Sequence, residues 1–236
     1  MLRTHRDGLY RGRRGSRRGR RETQGAQDVS DIDNPFFARL WMVMSGHEPE
    51  SLRRLRMANL AGLTGRVLEV GAGTGTNFAH YPAGVSEVVA LEPEVRLAEV
   101  ARRAAAAAPV PVTVSTATIE EFGADESFDA VVCSLVLCSV DDPDAVVQQL
   151  YSMLKPGGQL RYLEHVAGVG ARATLQKAAD ATVWPRLLGN CHTHRNTEAS
   201  IAAAGFSVAG SRREQTLPAW LPLPVSEFAI GRAVRP

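Results

Sequence analysis

The chain of 236 residues has few cysteines, few aromatic side chains and no long apolar run. Its three cysteines, Cys133, Cys138 and Cys191, show no disulfide spacing, which is typical of a reducing compartment, so we expect a cytoplasmic protein. No stretch of about 18 apolar residues occurs, so no membrane-spanning helix is predicted. No apolar segment follows the N-terminal arginines, so a secretory signal is not expected either.

Acidic residues are scarce in residues 1–27, where nine arginines stand against Asp7 and Glu22 and give a local net charge of +7. The whole chain carries +2, so the remainder carries −5, which gives no reason to expect a nucleic-acid surface. Having almost nothing apolar to bury, residues 1–28 are predicted to be a disordered Arg/Gly-rich tail. An arm that binds RNA or an anionic membrane is the alternative. Residues 29–236 are predicted to form one domain.

A helical lid is predicted at about 33–62, ahead of the rest of this domain. Asn34 is a suitable N-cap for a helix that starts at Pro35. One face of that helix carries Phe36, Phe37, Leu40, Trp41 and Met44. We expect its aromatic side chains to cover a ligand site, with plain core packing as the alternative. A second helix is predicted over roughly 49–62.

From residue 65 onward, strand-like runs alternate with helical stretches. The predicted strands cover residues 66–70, 88–91, 111–115, 129–134, 159–164, 206–211 and 227–234. The predicted helices between them cover residues 94–107, 143–155, 171–184 and 194–204. This alternation predicts an α/β fold, in which a largely parallel sheet is covered on both faces and binds ligands at the carboxyl ends of its strands.

A glycine-rich loop follows the first predicted strand. Gly71, Gly73 and Gly75 are spaced by two residues, which lets the backbone turn sharply and lie against a flat ligand before a predicted helix begins. Glu92 ends the second strand, 21 residues after Gly71, where a carboxylate can accept hydrogen bonds from both ribose hydroxyls of an adenosyl ligand. Capping of the next helix, beside Pro93, is the alternative role for this carboxylate.

Two features of this loop favour S-adenosylmethionine over a dinucleotide. Glu69 lies two residues before the first glycine, where a carboxylate suits an amino group and a sulfonium charge better than a pyrophosphate. The third glycine of a G-x-G-x-x-G pattern would fall at Thr76. An NAD-dependent oxidoreductase and a catalytically silent S-adenosylmethionine-binding protein remain the competing classes.

These motifs resemble the class I, seven-stranded methyltransferases, particularly the branch of the ubiquinone and menaquinone methyltransferases. The motifs are Val67–Gly75, Leu91–Pro93, Ser127–Val132 and Leu154–Gly158. A narrower similarity, to the microsomal thiol methyltransferases and their bacterial relatives, is carried by Leu135–Val140, Glu164–Val166, Trp184, Gly189–His192, Arg195, Thr197 and Ala204–Phe206. The resemblance implies a Rossmann-like, seven-stranded sheet with an antiparallel last strand. It also implies S-adenosylmethionine as methyl donor and S-adenosylhomocysteine as product.

The resemblance further implies roles for individual residues. The expected donor-binding residues are Glu69, Gly71, Ala72, Gly73, Gly75, Asn77, Glu92, Pro93, Thr116, Ala117, Thr118, Ser134 and Leu135. Among them, Glu69 is expected near the amine of the donor, and Thr116 or Thr118 at its adenine. The expected acceptor pocket is lined by Phe37, Trp41, Cys138, Trp184, Cys191 and Arg195. Residues 155–158 are predicted to form a helix-ending turn with a structural role.

Methyl transfer from a sulfonium is an in-line displacement, so the protein mainly supplies alignment, dehydration and, where needed, proton removal. His165, at the end of the fifth strand, is the candidate base, and a histidine satisfied by the backbone is the alternative. Cys191, His192 and His194 offer at most three close ligands, so no metal is expected.

The expected partner is a small apolar acceptor, a thiol first. A phenol, a quinone precursor, an amine or lipid head group, and RNA are the alternatives.

Overall fold

The computed structural model describes residues 34–123, 127–216 and 223–236. These residues form a seven-stranded sheet with the strand order β3-β2-β1-β4-β5-β7-β6. The strands are Gly65–Val70 (β1), Val85–Leu91 (β2), Val112–Ser115 (β3), Phe128–Ser134 (β4), Leu154–His165 (β5), Ser207–Gln215 (β6) and Glu227–Val234 (β7). The predicted α/β class with a Rossmann-like sheet is confirmed.

Strand direction determines where ligands can bind. β1 pairs in parallel with β2 and β4, while β3 and β5 extend the parallel sheet on either side. β7 is antiparallel to both of its neighbours, β5 and β6. The carboxyl ends of β1, β2, β4 and β5 therefore lie at one edge of the sheet, which we call the carboxyl edge.

Eight α-helices occur in the described ranges: Pro35–Gly46 (α1), Glu50–Leu60 (α2), Val95–Ala105 (α3), Ile119–Phe122 (α4), Pro143–Met153 (α5), Ala171–Asp180 (α6), Trp184–Leu187 (α7) and Thr197–Ala203 (α8). Two apolar clusters cover opposite faces of the sheet, because neighbouring strand residues point to opposite sides. Val131 packs in the cluster that contains α5 and α8, whereas Val132 packs in the cluster that contains α3. Near-continuous apolar strands are what a sheet buried on both faces requires.

The helix predicted after the glycine loop is only a single 3-10 turn, Phe78–His80. Tyr81 is already extended, with φ −64° and ψ 130°, and Pro82 follows it. A residue that precedes proline is disfavoured in the helical region, which accounts for the early stop.

The predicted turn at residues 155–158 is wrong, because these residues belong to β5. Helix α5 ends at Met153 and β5 begins at once with Leu154. The Gly157 N–H donates to the Arg235 carbonyl at 2.8 Å, and the Arg235 N–H donates to the Gly158 carbonyl at 2.9 Å. Pairing with the C-terminal segment therefore extends the strand, a long-range effect that a local glycine pattern cannot reveal.

Helix α1 does not pack as core. Its only buried residue is Ala38, while Phe36 is 61% exposed and Met44 is 49% exposed. Phe37 and Trp41 are half-buried, and their rings stack with centroids 5.8 Å apart. The apolar face of α1 is therefore only partly covered, and its role as a lid stays a prediction.

Two sequence predictions fall partly or wholly outside the described ranges. They are the tail at residues 1–28 and the start of the domain at residues 29–33. Within the described ranges, no helix combines the length and the apolar character needed to cross a membrane.

The loop that follows β4 is held by one buried carboxylate on β5. Glu164 has no exposed surface, and it accepts hydrogen bonds from the backbone N–H groups of Val136, Leu137 and Cys138 at 3.0–3.2 Å. Burial raises the pKa of Glu164 above its ordinary value, and the three N–H groups oppose that rise. The charge-assisted hydrogen bonds shape the loop at the carboxyl edge.

We expect Glu164→Gln to lower the free energy of unfolding by about 1–3 kcal/mol, because an amide leaves at least one of the three N–H groups unpaired. Urea unfolding measures the change. The control is Glu99→Gln, at an exposed residue of α3 that makes only surface ion pairs, and it should stay within about 0.5 kcal/mol of the parent. A Glu164→Gln variant as stable as this control would contradict the role assigned to Glu164.

Candidate active site

The glycine loop is packed so tightly that side chains are excluded at its turns. Gly71 and Gly73 have φ values of +64° and +58°, in the left-handed region that favours glycine. A Cβ atom on Gly71 would lie 2.5 Å from Cγ2 of Val136, and one on Gly73 would lie 2.8 Å from Nε1 of Trp41. The loop therefore lies between α1 and the loop after β4.

Glu69 forms the base of the loop and is 2% exposed. Its Oε1 accepts a hydrogen bond from Nδ2 of Asn77 at 2.9 Å, and its Oε2 accepts one from the Tyr81 hydroxyl at 2.6 Å. Burial raises the pKa of Glu69 to about 7, although both hydrogen bonds lower it. The carboxylate thus braces the loop from below, and its predicted contact with the amine of a donor stays a prediction.

An arginine that sequence reasoning missed completes this network. Arg56 of α2 is 5% exposed, and its Nη1 donates to Oδ1 of Asn77 at 3.3 Å. Its Nε pairs with Oε1 of Glu48 at 2.6 Å, and both side chains are buried. Arg56 is one of four charged residues in the sequence of α2, and no motif distinguishes it from the exposed arginines of the same helix.

Glu92 follows β2 directly and is 6% exposed. Its Oε2 accepts a hydrogen bond from the Gly73 N–H at 2.7 Å, and its Oε1 accepts one from the Glu94 N–H at 3.0 Å. Burial raises its pKa to about 7. The residue that caps α3 is Glu94, whose Oε2 accepts from the Leu97 N–H, so the capping alternative for Glu92 is wrong.

Among the remaining predicted donor residues, Ala72 belongs to the glycine loop, and the others follow the ends of β2 and β3. The Ala72 N–H donates to the Leu91 carbonyl at 2.9 Å, and Pro93 links β2 to α3. Thr118 is the N-cap of α4 in a capping box with Glu121, a structural role different from the predicted contact with adenine. At this end of β3, Ala117 donates its N–H to Ser115, and Thr116 is exposed.

The end of β4 lies next to the hydrogen-bond network under the glycine loop. Ser134 is buried, and its Oγ lies 3.2 Å from Nδ2 of Asn77, so it touches the network under the glycine loop. Leu135 has a φ of +65°, which costs a non-glycine residue roughly 1–2 kcal/mol. Its N–H still donates to the Leu163 carbonyl, and the N–H groups that follow bind Glu164. These hydrogen bonds hold the strained turn.

Beyond this turn, the structure brings together three predicted site residues from separate segments. Sγ of Cys138 lies 3.8 Å from Sγ of Cys191, and Nδ1 of His165 lies 3.7 Å and 3.5 Å from the two sulfur atoms. Both thiols are buried and the imidazole is half-buried. We call these residues the thiol–imidazole cluster.

Helix α1 contacts both the glycine loop and the segment just before Cys191. Trp41 lies against Gly73 of the glycine loop, and a Cβ on Gly189 would lie 2.6 Å from Cζ of Phe37. Gly189 is two residues before Cys191, so the stacked rings of α1 extend from the loop to the segment that carries the second thiol. This placement agrees with the predicted covering role of Phe37 and Trp41.

Two predicted pocket residues have other surroundings. Arg195 donates from Nη1 to the carbonyls of Leu137, at 2.8 Å, and Val140, so its guanidinium secures the loop after β4. Trp184 begins α7, and its buried indole N–H has no hydrogen-bond partner within the described ranges.

The histidines next to Cys191 lie outside the thiol–imidazole cluster. Nε2 of His192 lies 3.2 Å from Oδ1 of Asn190, and its backbone N–H donates to the Cys138 carbonyl. The His194 N–H donates to Oδ2 of Asp180 at 2.9 Å. Cys191, His192 and His194 therefore do not form a ligand group. The thiol–imidazole cluster, in contrast, brings three ligand atoms together.

The chain is similar to known methyltransferases in sequence and in fold. Residues 68–162 match the family model described as a methyltransferase domain. The chain is 34% identical over 211 residues to the thiol S-methyltransferase TMT1B of Mus musculus, covering 85% of each. It is 35% identical over 105 residues to a ubiquinone biosynthesis O-methyltransferase of Xanthomonas axonopodis pv. citri, covering 44% of each. The N-methyltransferase NodS of Bradyrhizobium japonicum WM9, solved with S-adenosylhomocysteine, shares the fold with a TM-score of 0.60 at 17% identity, covering 86% of this chain and 89% of that one.

We expect Glu92→Ala to weaken the binding of S-adenosylhomocysteine about tenfold or more, the effect of losing charge-assisted hydrogen bonds of about 1.5–3 kcal/mol. Isothermal titration calorimetry measures the affinity. Glu94→Ala is the matched control, since it removes an equally buried carboxylate that caps α3, and it should lower stability while keeping the affinity. Unchanged affinity in Glu92→Ala would remove the ribose assignment.

The raised pKa of Glu69 predicts a pH-dependent stability. The pKa of Glu69 in the folded protein, about 7, lies above its ordinary value of 4.5, so between these values the folded state holds more protons than the unfolded state. The free energy of unfolding of the ligand-free protein therefore falls as pH rises from about 5 to 7. Glu69→Gln should reduce this fall by about 1–3 kcal/mol, as judged by urea unfolding at each pH. Exposed Glu99→Gln should follow the parent, and a Glu69→Gln curve parallel to the parent would contradict the assignment.

Proposed function

Because this chain belongs to the S-adenosylmethionine-dependent methyltransferases, in the family of the thiol S-methyltransferases, we propose that its acceptor is the sulfur atom of a small apolar thiol. The family fixes the donor as S-adenosylmethionine and the product as S-adenosylhomocysteine. The NAD-dependent class is thereby excluded. The observation that carries the choice of acceptor is the thiol–imidazole cluster beside the glycine loop.

The donor half of the edge fits a sulfonium nucleoside. The glycine turns leave backbone instead of side chains at the contact, since a Cβ on Gly71 or Gly73 would meet Val136 or Trp41. Glu92 presents a buried carboxylate at the end of β2, the place where a ribose binds in folds of this type. Glu69 supplies a second buried carboxylate below the loop, and its contact with the donor's amine stays a prediction.

The acceptor half lies on the loop after β4, next to the glycine loop. Val136 contacts Gly71, and two residues later Cys138 contacts His165 and Cys191. Thiol groups and the rings of Phe37 and Trp41 are weakly polar, which suits an acceptor with an apolar body. Holding donor and acceptor in line beneath α1 supplies much of the rate, since alignment alone contributes about 7–11 kcal/mol.

A thiol acceptor must lose its proton before or during the attack on the methyl group. Glu164 is unsuited to take that proton, because its carboxylate already accepts three backbone hydrogen bonds. The imidazole of His165 adjoins it at the end of β5, is half-buried and lies 3.7 Å and 3.5 Å from the two sulfur atoms, and imidazole is the commonest general base in enzymes. Proton removal is therefore assigned to the thiol–imidazole cluster.

The proposal is tested by measuring release of S-adenosylhomocysteine with an alkyl thiol, a phenol and a primary amine of similar apolar size. We expect kcat/KM for the thiol to exceed that for the other two by about tenfold or more, because the thiolate is the strongest nucleophile of the three near neutral pH. Glu92→Ala is the control for donor-dependent turnover, with activity falling in proportion to donor binding. Faster methylation of the phenol or the amine would assign the acceptor to that class instead.

A further inference from the structure

The distances within the thiol–imidazole cluster match those between the ligands of a tetrahedral metal ion. A zinc ion with Zn–S bonds of about 2.3 Å and a Zn–N bond of about 2.0 Å holds two sulfurs about 3.8 Å apart and each sulfur about 3.5 Å from the nitrogen. The cluster has 3.8 Å between the sulfurs of Cys138 and Cys191, and 3.5 Å and 3.7 Å from them to Nδ1 of His165. All three ligand atoms therefore already lie near the corners of one coordination shell.

The three side chains are held in this arrangement by the fold. The carboxylate of Glu164 accepts a hydrogen bond from the Cys138 N–H and so fixes the backbone there. Glu164 also immediately precedes His165 in β5. The His165 ring packs against Phe228 of β7, with centroids 4.7 Å apart. The segment that carries Cys191 is tied to the same loop, because the His192 N–H donates to the Cys138 carbonyl at 2.7 Å. Preorganised ligands lower the cost of binding an ion.

The donor set also has the chemistry of a zinc site. Thiolate and neutral imidazole are the ligands that zinc prefers, and two cysteines with one histidine form a known catalytic set that keeps one position open. A cation beside the two thiols would favour their thiolate forms, because a coordinating thiol is deprotonated.

We propose that Cys138 Sγ, His165 Nδ1 and Cys191 Sγ bind one zinc ion, and that the open fourth position takes the acceptor thiolate. Within the described ranges the ligand group consists of these three residues. The role of the fourth position depends on the function proposed above, whereas binding of the ion does not. The proposal revises the expectation from sequence that no metal is bound.

Such a site accounts for the fate of every atom in the reaction. The acceptor R–SH loses its proton to solvent when its sulfur is coordinated, since zinc stabilises the thiolate. That sulfur then forms a bond to the methyl carbon while the bond from the same carbon to the sulfonium sulfur of the donor breaks. The products are R–S–CH3 and S-adenosylhomocysteine, and no oxidant or reductant is needed. In this arrangement His165 holds the ion, and the ion takes over the removal of the proton.

The test begins with metal binding alone, in the absence of methyl donor. Full-length protein is reduced, stripped with a chelator, and titrated with Co²⁺ and then Zn²⁺. We expect one equivalent of Co²⁺ to give the thiolate charge-transfer and tetrahedral ligand-field bands, and one equivalent of Zn²⁺ to abolish them. Cys138→Ser and Cys191→Ser should each weaken Zn²⁺ binding on the order of a hundredfold or more, because each removes one of three ligands.

Matched controls separate loss of a ligand from loss of the fold. Cys133→Ala removes the third cysteine, which is buried in β4 outside the cluster, and His192→Gln removes a neighbouring imidazole. Both should keep parental Zn²⁺ affinity, and circular dichroism checks that each variant is folded. The site would be overturned if either control variant, although folded, no longer bound one equivalent of metal. It would also be overturned if the reduced parent protein gave no cobalt spectrum.

The fourth position is tested by adding an alkyl thiol to the cobalt-loaded protein. A shift of the ligand-field bands, saturating with thiol and absent with a phenol, supports an open position that takes the acceptor. An unchanged spectrum overturns that part of the proposal. If the protein methylates thiols without binding a metal, the site is wrong and the proposed function stands. If it binds the metal but methylates only phenols or amines, the site stands and the thiol acceptor is wrong.

Discussion

Burying a carboxylate is costly unless its oxygens accept hydrogen bonds, and this constraint organises the carboxyl edge of the sheet. Glu69, Glu92 and Glu164 lie at or directly after the ends of three parallel strands, and each is almost completely buried. Each takes its hydrogen bonds from a neighbouring loop: Glu92 from Gly73, and Glu164 from the three residues that follow Leu135. The loops are consequently shaped by the strands beneath them.

The same constraint divides the edge into two adjoining halves. Glu69 and Glu92 hold the glycine loop, while Glu164 holds the loop after β4, which carries Val136 against Gly71 and Cys138 against His165. A donor above the first loop and an acceptor above the second would be neighbours by construction. Methyl transfer needs that kind of alignment more than it needs a reactive side chain, which agrees with a site built largely from backbone, carboxylates and apolar rings.

Agreement between sequence and structure was closest where the signal is local. The glycine loop and the last strand, 227–234, lie where the sequence predicts them, because turn chemistry and apolar runs act over a few residues. Prediction failed where distant partners decide. Residues 155–158 read as a turn but pair with Arg235. No sequence motif marks Arg56, which is buried between Glu48 and Asn77. Burial of that kind depends on which helix covers which strand.

By itself the sequence determined the fold class, the family, the glycine loop and the acidic residue after β2, since glycines and an acidic residue at fixed spacing act through nearby backbone. Only the tertiary structure decided which cysteine and histidine side chains meet. Cys138 and His165 are 27 residues apart and Cys191 is a further 26 away, on a loop between short helices. Adjacent residues such as Cys191 and His192 diverge, because neighbouring side chains on an irregular loop point in different directions, whereas parallel strands bring distant residues to one edge.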